Sequence, residues 1–430
     1  MKMDLQLPKG TRDFSPEEKI LRDEVVDTLK EVFEIYGYAP LDTPILERFD
    51  ILSSKYAGGS EILKETFRFK DQGDRDLGLR YDLTVPMCRY VGMNPAIKMP
   101  FKRYQTGEVF RDGPVATGRY RQFTQCDADV VGSSSMATDA DIISLIFSAF
   151  KKFGLDVVVK VNSRKLLNDI LDYCGIQKSR QESVILSIDK LEKFGANTVK
   201  NELKEQKMDE KKISLIIDLI NVKGTNEEKM DQLKKFIKNS EGLDEIEGLL
   251  NYSKNLGLNV DFDVSLARGL AYYTGTVIEA FLKNNNIKSA VCAGGRYDNM
   301  IGAFLGKGNY PAVGVAFGVD RIYDALLEKQ GALQKTKTKV YVIPIKTVNE
   351  SMKVAEQLRQ AGINTDIDSS DKGPSKNLEY ANSLGIPYVL FVGKKEIEQG
   401  KLKLKDMTSG KEEMLEFNEI IKKLKLYIKL

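Results

Sequence analysis

The chain has no histidine among its 430 residues, and this absence excludes several kinds of chemistry. Without an imidazole there is no Ser-His-Asp or Cys-His pair, no HExxH zinc site and no histidine acid or base. An enzyme of this composition must work with arginine, lysine, carboxylates, tyrosine or backbone groups. That repertoire favours reactions catalysed by positioning and charge, such as phosphoryl and nucleotidyl transfer.

Cysteines and long apolar runs are also scarce. Cys88, Cys126, Cys174 and Cys292 have no CxxC spacing, which predicts reduced, intracellular thiols rather than a disulfide or zinc framework. The apolar runs are strand-sized and fall short of the ~18 residues that a membrane span needs. Because the N-terminal MKMDLQLPKG has no apolar signal core, the expected location is the cytoplasm, with no membrane contact.

An excess of one charge is the third missing feature. Lysine and arginine number 65 against 62 acidic residues, a net charge of +3, so the whole chain is not a generic polyanion binder. The basic excess lies in residues 336–430, partly in the run KLKLK (401–405) and in the final KKLKLYIKL. A solvated lysine face explains either run taken alone.

The order of sequence patterns predicts two main domains. A polar stretch, GALQKTKT, marks a boundary near 331–338. Residues 1–330 combine helical and strand patterns, with a Lys/Glu-rich helical insertion at about 165–250. Residues 336–430 alternate strands and helices, which indicates a small α/β domain.

Within the first domain, a helix is expected to begin at Ser15-Pro16-Glu17-Glu18, a capping-box pattern. Residues 79–131 read as antiparallel strands, among them 101–110 and 119–131, joined by the loop RDGPVATG. Strand patterns return at 264–281 and in the segments AVCAGGRYDNMIG and PAVGVAFGVDRI.

One face of the predicted strand 119–131 is strongly polar. Because side chains alternate along a strand, one face carries the odd-numbered residues Arg119, Arg121, Phe123, Gln125, Asp127 and Asp129. A solvated face and the floor of a polar cleft are both consistent with this spacing.

Four segments carry arginines of interest: VFRDG, GRYRQFTQCDAD, LARGLAYYTG and FGVDRI. Arginine holds phosphates well because its planar fork donates two parallel hydrogen bonds and stays charged. Any one of them is more often a surface ion-pair partner, and spacing does not show that they converge. The glycine-rich pieces match neither a Walker loop nor a dinucleotide fingerprint.

These motifs resemble the class II aminoacyl-tRNA synthetases, and specifically the histidyl-tRNA synthetase family, over almost the whole chain. GYAPLDTPILE, with Pro44, is similar to motif 1, VFRDGPVATGRYRQFTQCDAD to motif 2 and PAVGVAFGVDRI to motif 3. LRYDLTVP, LARGLAYYTG and AGGRYD are similar to signatures of the histidine enzymes. The last two, in register between motifs 2 and 3, are the most specific.

The resemblance implies an α+β fold and several partners. It implies a catalytic domain with an antiparallel sheet flanked by helices, a homodimer through motif 1, and an insertion over the tRNA acceptor stem. It also implies a C-terminal anticodon-binding domain. The implied reaction joins L-histidine to ATP as an adenylate and passes it to tRNA(His), with Mg²⁺ accompanying ATP and no metal bound by protein ligands.

The resemblance also implies roles for particular residues. Arg111, Arg119 and Arg321 fall on ATP-binding positions, and Arg111 and Arg268 on the catalytic ones. Arg268 corresponds to the arginine that acts at the α-phosphate where other class II enzymes use a metal ion. The positions that bind histidine are Asp82, Thr84, Gln125, Asp129, Arg268, Tyr272 and Tyr273.

Two positions depart from the family pattern. Motif 2 usually carries an acid two residues after its first arginine, where this chain has Gly113. The YYTG signature is commonly preceded by aspartate, and here the residue is Ala271.

Two alternative functions compete with this interpretation. A catalytically silent relative, such as the regulatory subunit of ATP phosphoribosyltransferase, lacks the C-terminal domain and loses reactive residues, whereas Arg268 and residues 336–430 are present here. A class II enzyme for another amino acid would not carry the two histidine-type signatures. The missing histidine could also allow synthesis during histidine starvation, although compositional drift explains it equally well.

Overall fold

A computed structural model describes residues 4–54, 60–115, 120–268, 272–331, 333–370 and 372–428. Its contacts divide the chain into two compact units. The larger unit comprises residues 1–12 and 24–329. The smaller comprises 13–23 and 330–430.

Sixteen strands and seventeen helices occupy the described residues, and both are numbered here in chain order. The strands are β1 Ala39–Pro40, β2 Leu46–Arg48, β3 Arg68–Lys70, β4 Asp76–Leu79, β5 Phe101–Phe110, β6 Gln122–Val131, β7 Val157–Ser163, β8 Val260–Phe262, β9 Thr276–Leu282, β10 Cys292–Arg296, β11 Ala312–Gly318, β12 Val340–Ile345, β13 Thr365–Ile367, β14 Tyr388–Gly393, β15 Lys401–Asp406 and β16 Glu412–Glu416. The helices are α1 Pro16–Ile35, α2 Phe49–Leu52, α3 Ser60–Lys64, α4 Thr84–Met93, α5 Met136–Phe153, α6 Arg164–Tyr173, α7 Lys178–Ile188, α8 Leu191–Glu205, α9 Glu210–Ile220, α10 Asn226–Lys234, α11 Glu241–Asn255, α12 Met300–Leu305, α13 Val319–Gln330, α14 Val348–Gln360, α15 Pro374–Ser383, α16 Lys394–Glu398 and α17 Phe417–Ile428.

Helix α1 begins where the capping pattern predicts. The Ser15 amide donates to Glu18 Oε2 at 2.8 Å, and the Glu18 amide donates to Ser15 Oγ at 3.4 Å. This reciprocal pair satisfies two amides that the first helical turn leaves without a partner. After the helix ends, Gly37 adopts a φ of +78°, a left-handed conformation that costs glycine little.

An eight-stranded sheet forms the frame of the larger unit. Its order is β1-β5-β6-β11-β10-β9-β7-β8. The pairs at the two edges, β1 with β5 and β7 with β8, are parallel, and the pairs between them are antiparallel. A smaller antiparallel sheet, β2-β4-β3, lies in the same unit.

The two faces of the large sheet differ in their side chains: one packs against helices and the other is polar along β6. On one face Phe317 packs its ring against Phe33 of α1 and Phe150 of α5, with centroids 5.6 and 6.0 Å away. Cys126 pairs in register with Phe317 and is fully buried. The opposite face of β6 therefore points away from these helices, and it carries Gln125, Asp127 and Asp129.

Helices α6 to α11 occupy residues 164–255, between strands β7 and β8 of the sheet. Four of them begin with a side-chain cap, from Ser163, Asp209, Thr225 and Ser240, and Thr225 forms a capping box with Glu228. Helix α8 is broken at Gly195, whose φ of +79° and ψ of 167° are not helical. The helical insertion expected at about 165–250 is a run of six helices.

The smaller unit is built on the sheet β13-β12-β14-β15-β16. Strands β12, β13 and β14 are parallel, as the alternation of strands and helices predicts. Strands β15 and β16 add an antiparallel hairpin. Two apolar clusters lie in this unit, one around Val342 and Leu390 and one around Ile343 and Val389.

Two parts of the sequence interpretation are wrong, and it lacks one strand. Residues 79–131 are not all strands, because α4 (Thr84–Met93) lies among them. The strand pattern at 264–281 holds only from Thr276, which begins β9. The run KLKLK belongs to β15, where Leu402 and Leu404 are buried while the lysines alternate with them. Its period of two is a strand signal that the charges obscured.

All four cysteines are buried free thiols. In the part of the chain that the structure describes, no helix is both long and apolar enough to cross a bilayer.

Replacing Gly294 with alanine should destabilise the larger unit. A Cβ there would lie 2.0 Å from the Gly314 carbonyl oxygen and 2.7 Å from Val315 Cα, both on the neighbouring strand. Backbone atoms cannot yield without separating β10 from β11. We expect Gly294→Ala to lower the free energy of unfolding by about 1–3 kcal/mol in urea titrations.

Gly248→Ala is the matched control. Gly248 lies inside α11, and a Cβ there would lie 3.8 Å from the Met136 side chain, an ordinary van der Waals contact. It should stabilise the unit by about 0.5–1 kcal/mol. Equal effects of the two substitutions would contradict the close packing of β10 on β11.

Candidate active site

A small cavity of about 70 Å³ lies on the polar face of β6. Eight of the ten predicted site residues line it together: Asp82, Thr84, Arg111, Gln125, Asp129, Arg268, Tyr272 and Tyr273. They come from segments far apart in the sequence, so the fold rather than the chain brings them together. The polar face of β6 is the floor of a cleft and not a solvated surface.

The two remaining predicted residues do not line this cavity. Arg321, near the start of α13, donates to the Ala290 carbonyl oxygen. Burial lowers the pKa of Arg321, and the positive charges of Arg268 and Arg111 lower it further. Arg119 lies outside the described residues.

Arg111 enters the cavity from the loop after β5. Its Nε donates to the Tyr81 carbonyl oxygen at 3.1 Å, and its guanidinium lies 5.2 Å from the centre of the Phe123 ring. Burial lowers the pKa of Arg111, while the carboxylate of Asp82 opposes that effect. Arginine stays charged in either case, so this group brings a fixed positive charge to the cavity.

Arg268 makes an ion pair with Glu279 on β9, a partner that the sequence interpretation missed. Burial acts to lower the pKa of Arg268, but Tyr273 and Glu279 outweigh it and raise that pKa above its ordinary value. The guanidinium is therefore held in one place by a carboxylate beside it. Tyr272 and Tyr273 pack against each other, with ring centres 4.7 Å apart.

Asp82 precedes α4 and accepts a hydrogen bond from the Val85 amide at 3.0 Å. Burial raises the pKa of Asp82 to about 6, although the Val85 amide and the nearby arginines Arg111 and Arg103 act in the other direction. A carboxylate with a raised pKa is poorly solvated and gains more from a cationic partner than an exposed one does.

Asp129 is held by two residues that sequence reasoning missed. Its Oδ2 lies 2.8 Å from Nη2 of the fully buried Arg103, and its Oδ1 accepts a hydrogen bond from the Tyr297 hydroxyl. Arg103 is directly opposite Asp129 in the register of β5 and β6. Pairing the two predicted strands about their loop could have revealed this partner.

At Gly113, where the family pattern has an acid, another acidic side chain lies close to the backbone. The Glu65 carboxyl group fills the space beside it, since a Cβ at Gly113 would lie 2.7 Å from Glu65 Cδ. The Asp112 amide also donates to the Glu65 carbonyl oxygen at 2.6 Å. Ala271, the other departure, lies outside the described residues.

Metal ligands are a separate question. Over the described ranges, no group of three or more acidic or cysteine side chains is placed to hold a metal ion.

Comparisons with known proteins agree with this geometry. The family profile described as histidyl-tRNA synthetase matches residues 10–322, and the anticodon-binding-domain profile matches 339–426. Histidine–tRNA ligase 1 of a Bacillus cereus strain is 41% identical over 95% of this chain and 97% of its own length. Histidine–tRNA ligase 2 of Shouchella clausii is 42% identical over 97% and 99%.

A solved structure is similar throughout. The crystal structure of histidyl-tRNA synthetase from Nostoc sp. PCC 7120 superposes with a TM-score of 0.87 at 31% identity, covering 99% of this chain and all of that one. The fold and motifs thus define a class II aminoacyl-tRNA synthetase. Within that class, the chain belongs to the histidyl-tRNA synthetase family. Both steps confirm the resemblance seen in the sequence.

Asp82→Asn should stabilise the ligand-free protein at neutral pH. A carboxyl whose pKa is about 6 when folded and about 3.9 when unfolded contributes stability below pH 4 and loses it as the pH rises through 6. We expect the variant to exceed wild type by about 2–3 kcal/mol at pH 7.5, and the difference to vanish near pH 4, in urea titrations.

Asp263→Asn is a control of opposite sign. Burial raises the pKa of Asp263, but hydrogen bonds from Ser265 and the charge of Lys160 overcome this and lower it. That variant should be less stable than wild type at pH 7.5. A pH-independent effect of Asp82→Asn would contradict the raised pKa.

Proposed function

We propose that this protein activates histidine with ATP and transfers the histidyl group to tRNA, using the cavity on β6 as the histidine site. The observation that carries the proposal is the convergence of Arg111, Arg268 and buried carboxylates on one cavity. Family membership supports the overall reaction, and the geometry supports the assignment of residues. The product of the first step would be histidyl-adenylate, with pyrophosphate released.

The histidine end of the site would be made of acceptors. Asp82, Thr84 and Gln125 line the cavity and supply carboxylate, hydroxyl and amide oxygens suited to the α-ammonium group. The ring would lie against Asp129, Tyr272 and Tyr273. Because these groups are buried, a ligand that leaves them without hydrogen bonds is penalised.

The ATP end would be made of guanidinium groups. Arg111 and Arg321, with Arg119, are proposed to hold the phosphates. Arg321 supports this role, because neighbouring positive charges lower its pKa and a polyanion placed among them would relieve that repulsion. Mg²⁺ would arrive bound to the phosphates of ATP.

Catalysis of the first step needs no protein nucleophile. The histidine carboxylate attacks the α-phosphorus in line, and the protein contributes orientation and fixed charge. Arg268 would hold that carboxylate near phosphorus and stabilise the charge that develops on the α-phosphate. Its ion pair with Glu279 keeps it in position before the substrates arrive.

The remaining assignments extend the same proposal. Residues 1–330 would form the catalytic domain, with the helices of the insertion toward the acceptor stem of tRNA(His), and residues 336–430 the anticodon-binding domain. Ile45 and Leu46 of motif 1 are about half exposed, which supports a homodimer through this segment. We expect a cytoplasmic dimer of twice the 48.3 kDa chain mass.

Arg268→Ala should reduce histidine-dependent ATP–pyrophosphate exchange by roughly 10²–10³-fold in kcat, the usual cost of losing an oriented donor at the developing charge. Exchange is measured with labelled pyrophosphate under saturating histidine and ATP.

Arg75→Ala is the matched control, because that side chain is exposed and paired with Asp71. It should exchange at the wild-type rate. An Arg268→Ala variant that kept wild-type kcat would remove the catalytic assignment, and a wild-type protein without histidine-dependent exchange would overturn the proposed function.

A further inference from the structure

The following inference rests on the proposed function and assigns a residue that the family motifs leave without a role. We propose that Asp127 is a specificity-determining residue: its carboxylate accepts a hydrogen bond from a ring N–H of the bound histidine. Asp129, at the same face, also holds Arg103 and Tyr297 in position. Asp127 lines the cavity, between Gln125 and Asp129 along β6.

The first observation is that buried oxygens on β6 have no hydrogen-bond partner. Among the described residues that line the cavity, Gln125 Oε1, Asp127 Oδ1 and Asp129 Oδ2 are buried and accept no hydrogen bond. Buried polar atoms of this kind are rare, because leaving one without a partner is costly. Their gathering on one cavity indicates that a ligand supplies missing donors.

The second observation is that Asp129 is already engaged through both of its oxygens. Its Oδ1 receives the hydroxyl of Tyr297. Its Oδ2, although not aligned for a hydrogen bond, lies 2.8 Å from Arg103 Nη2 in an ion pair. Asp127 Oδ1 has no hydrogen-bond partner among the described residues, so it retains accepting capacity for a ligand. Asp129 fixes Arg103 and Tyr297 in position.

The spacing of the acceptors on Gln125 and Asp127 fits a ligand with donors at both ends. Gln125 and Asp127 are alternate residues of one strand, so they share a face about 6.6–6.8 Å apart along it. Histidine carries its α-ammonium at one end and its ring N–H at the other. Gln125 would take the ammonium, which agrees with its proposed role, and Asp127 the ring.

A competing role for Asp127 is to balance the charge of Arg103. Burial raises the pKa of Asp127 while the charge of Arg103 lowers it, so the two groups do interact. A purely balancing role predicts a change in stability and no change in the apparent affinity for histidine. The two roles are separated by kinetics rather than by folding.

The test compares Asp127→Ala and Asp127→Asn in histidine-dependent ATP–pyrophosphate exchange. Loss of a hydrogen bond to a charged acceptor should raise KM for histidine by about 10–100-fold in Asp127→Ala, with KM for ATP unchanged. Asp127→Asn should recover part of the loss, because its amide oxygen still accepts a hydrogen bond. An unchanged KM for histidine in both variants would overturn the proposal.

Asp139→Asn is the matched control. Asp139 is likewise buried beside an arginine, Arg296, but it does not line the cavity. It should lower the melting temperature and leave KM for histidine unchanged. If Asp127→Asn behaves in the same way, Asp127 has only the balancing role.

A substrate analogue gives a readout that does not depend on the stability of any variant. 4-Thiazolylalanine has a five-membered ring without an N–H donor. Wild type should discriminate against it by at least about tenfold in kcat/KM, and Asp127→Asn or Asp127→Ala should reduce that ratio. Undiminished discrimination in the variants would reject Asp127 as the ring acceptor, whereas wild type without histidine-dependent exchange would reject the proposed function itself.

Discussion

The buried ion pair between Arg103 and Asp129 is the constraint on which the site depends. The two residues are directly opposite each other on β5 and β6, and both side chains are almost completely inaccessible to water. Burying an unpaired charge costs far more than burying a paired one, so the register of the two strands is fixed by charge as well as by backbone hydrogen bonds. A slip of one residue would move Asp129 to the apolar face covered by α1 and α5. That register is what brings Gln125 and Asp127 to the cavity.

Burial of charged groups also makes an unfavourable contribution to the free energy of folding at this site. Asp82, Asp127 and Asp129 are all buried, and burial raises the pKa of each. Meanwhile Arg111 and Arg321 repel Arg268. A ligand that carries a cation at one end and an anion beside it relieves both kinds of cost at once. An amino acid next to a nucleoside triphosphate has this distribution of charge, so such substrates would gain binding free energy from these buried charged groups.

Much of this organisation could be predicted from the sequence because its signals are local or carried by motifs. The capping box at Ser15, the alternation of β6 and the family signatures each depend on short spacings, and the comparisons confirm the family and the fold. Arg103 was missed because its role depends on the register between strands, which a single strand does not encode. Glu279 and Tyr297 were missed because their contacts with Arg268 and Asp129 depend on how the chain folds in three dimensions. The strand β15 was missed because its lysines drew attention to charge rather than to the alternating Leu402 and Leu404. Helix α4 was missed because Asp82, which accepts from its first turn, was considered only as a ligand-binding residue.

The absence of histidine has a further consequence for how the site works. Because the chain has none, every imidazole in the complex of the protein with its amino-acid substrate belongs to that substrate. The cavity therefore has no imidazole side chain of its own. Its groups recognise the ring of the substrate through hydrogen-bond acceptors and donors of other chemical types. A carboxylate is the strongest acceptor among them, and Asp127 Oδ1 has no hydrogen-bond partner among the described residues. Burial raises the pKa of Asp127, so a ring N–H placed beside it would stabilise a poorly solvated carboxylate.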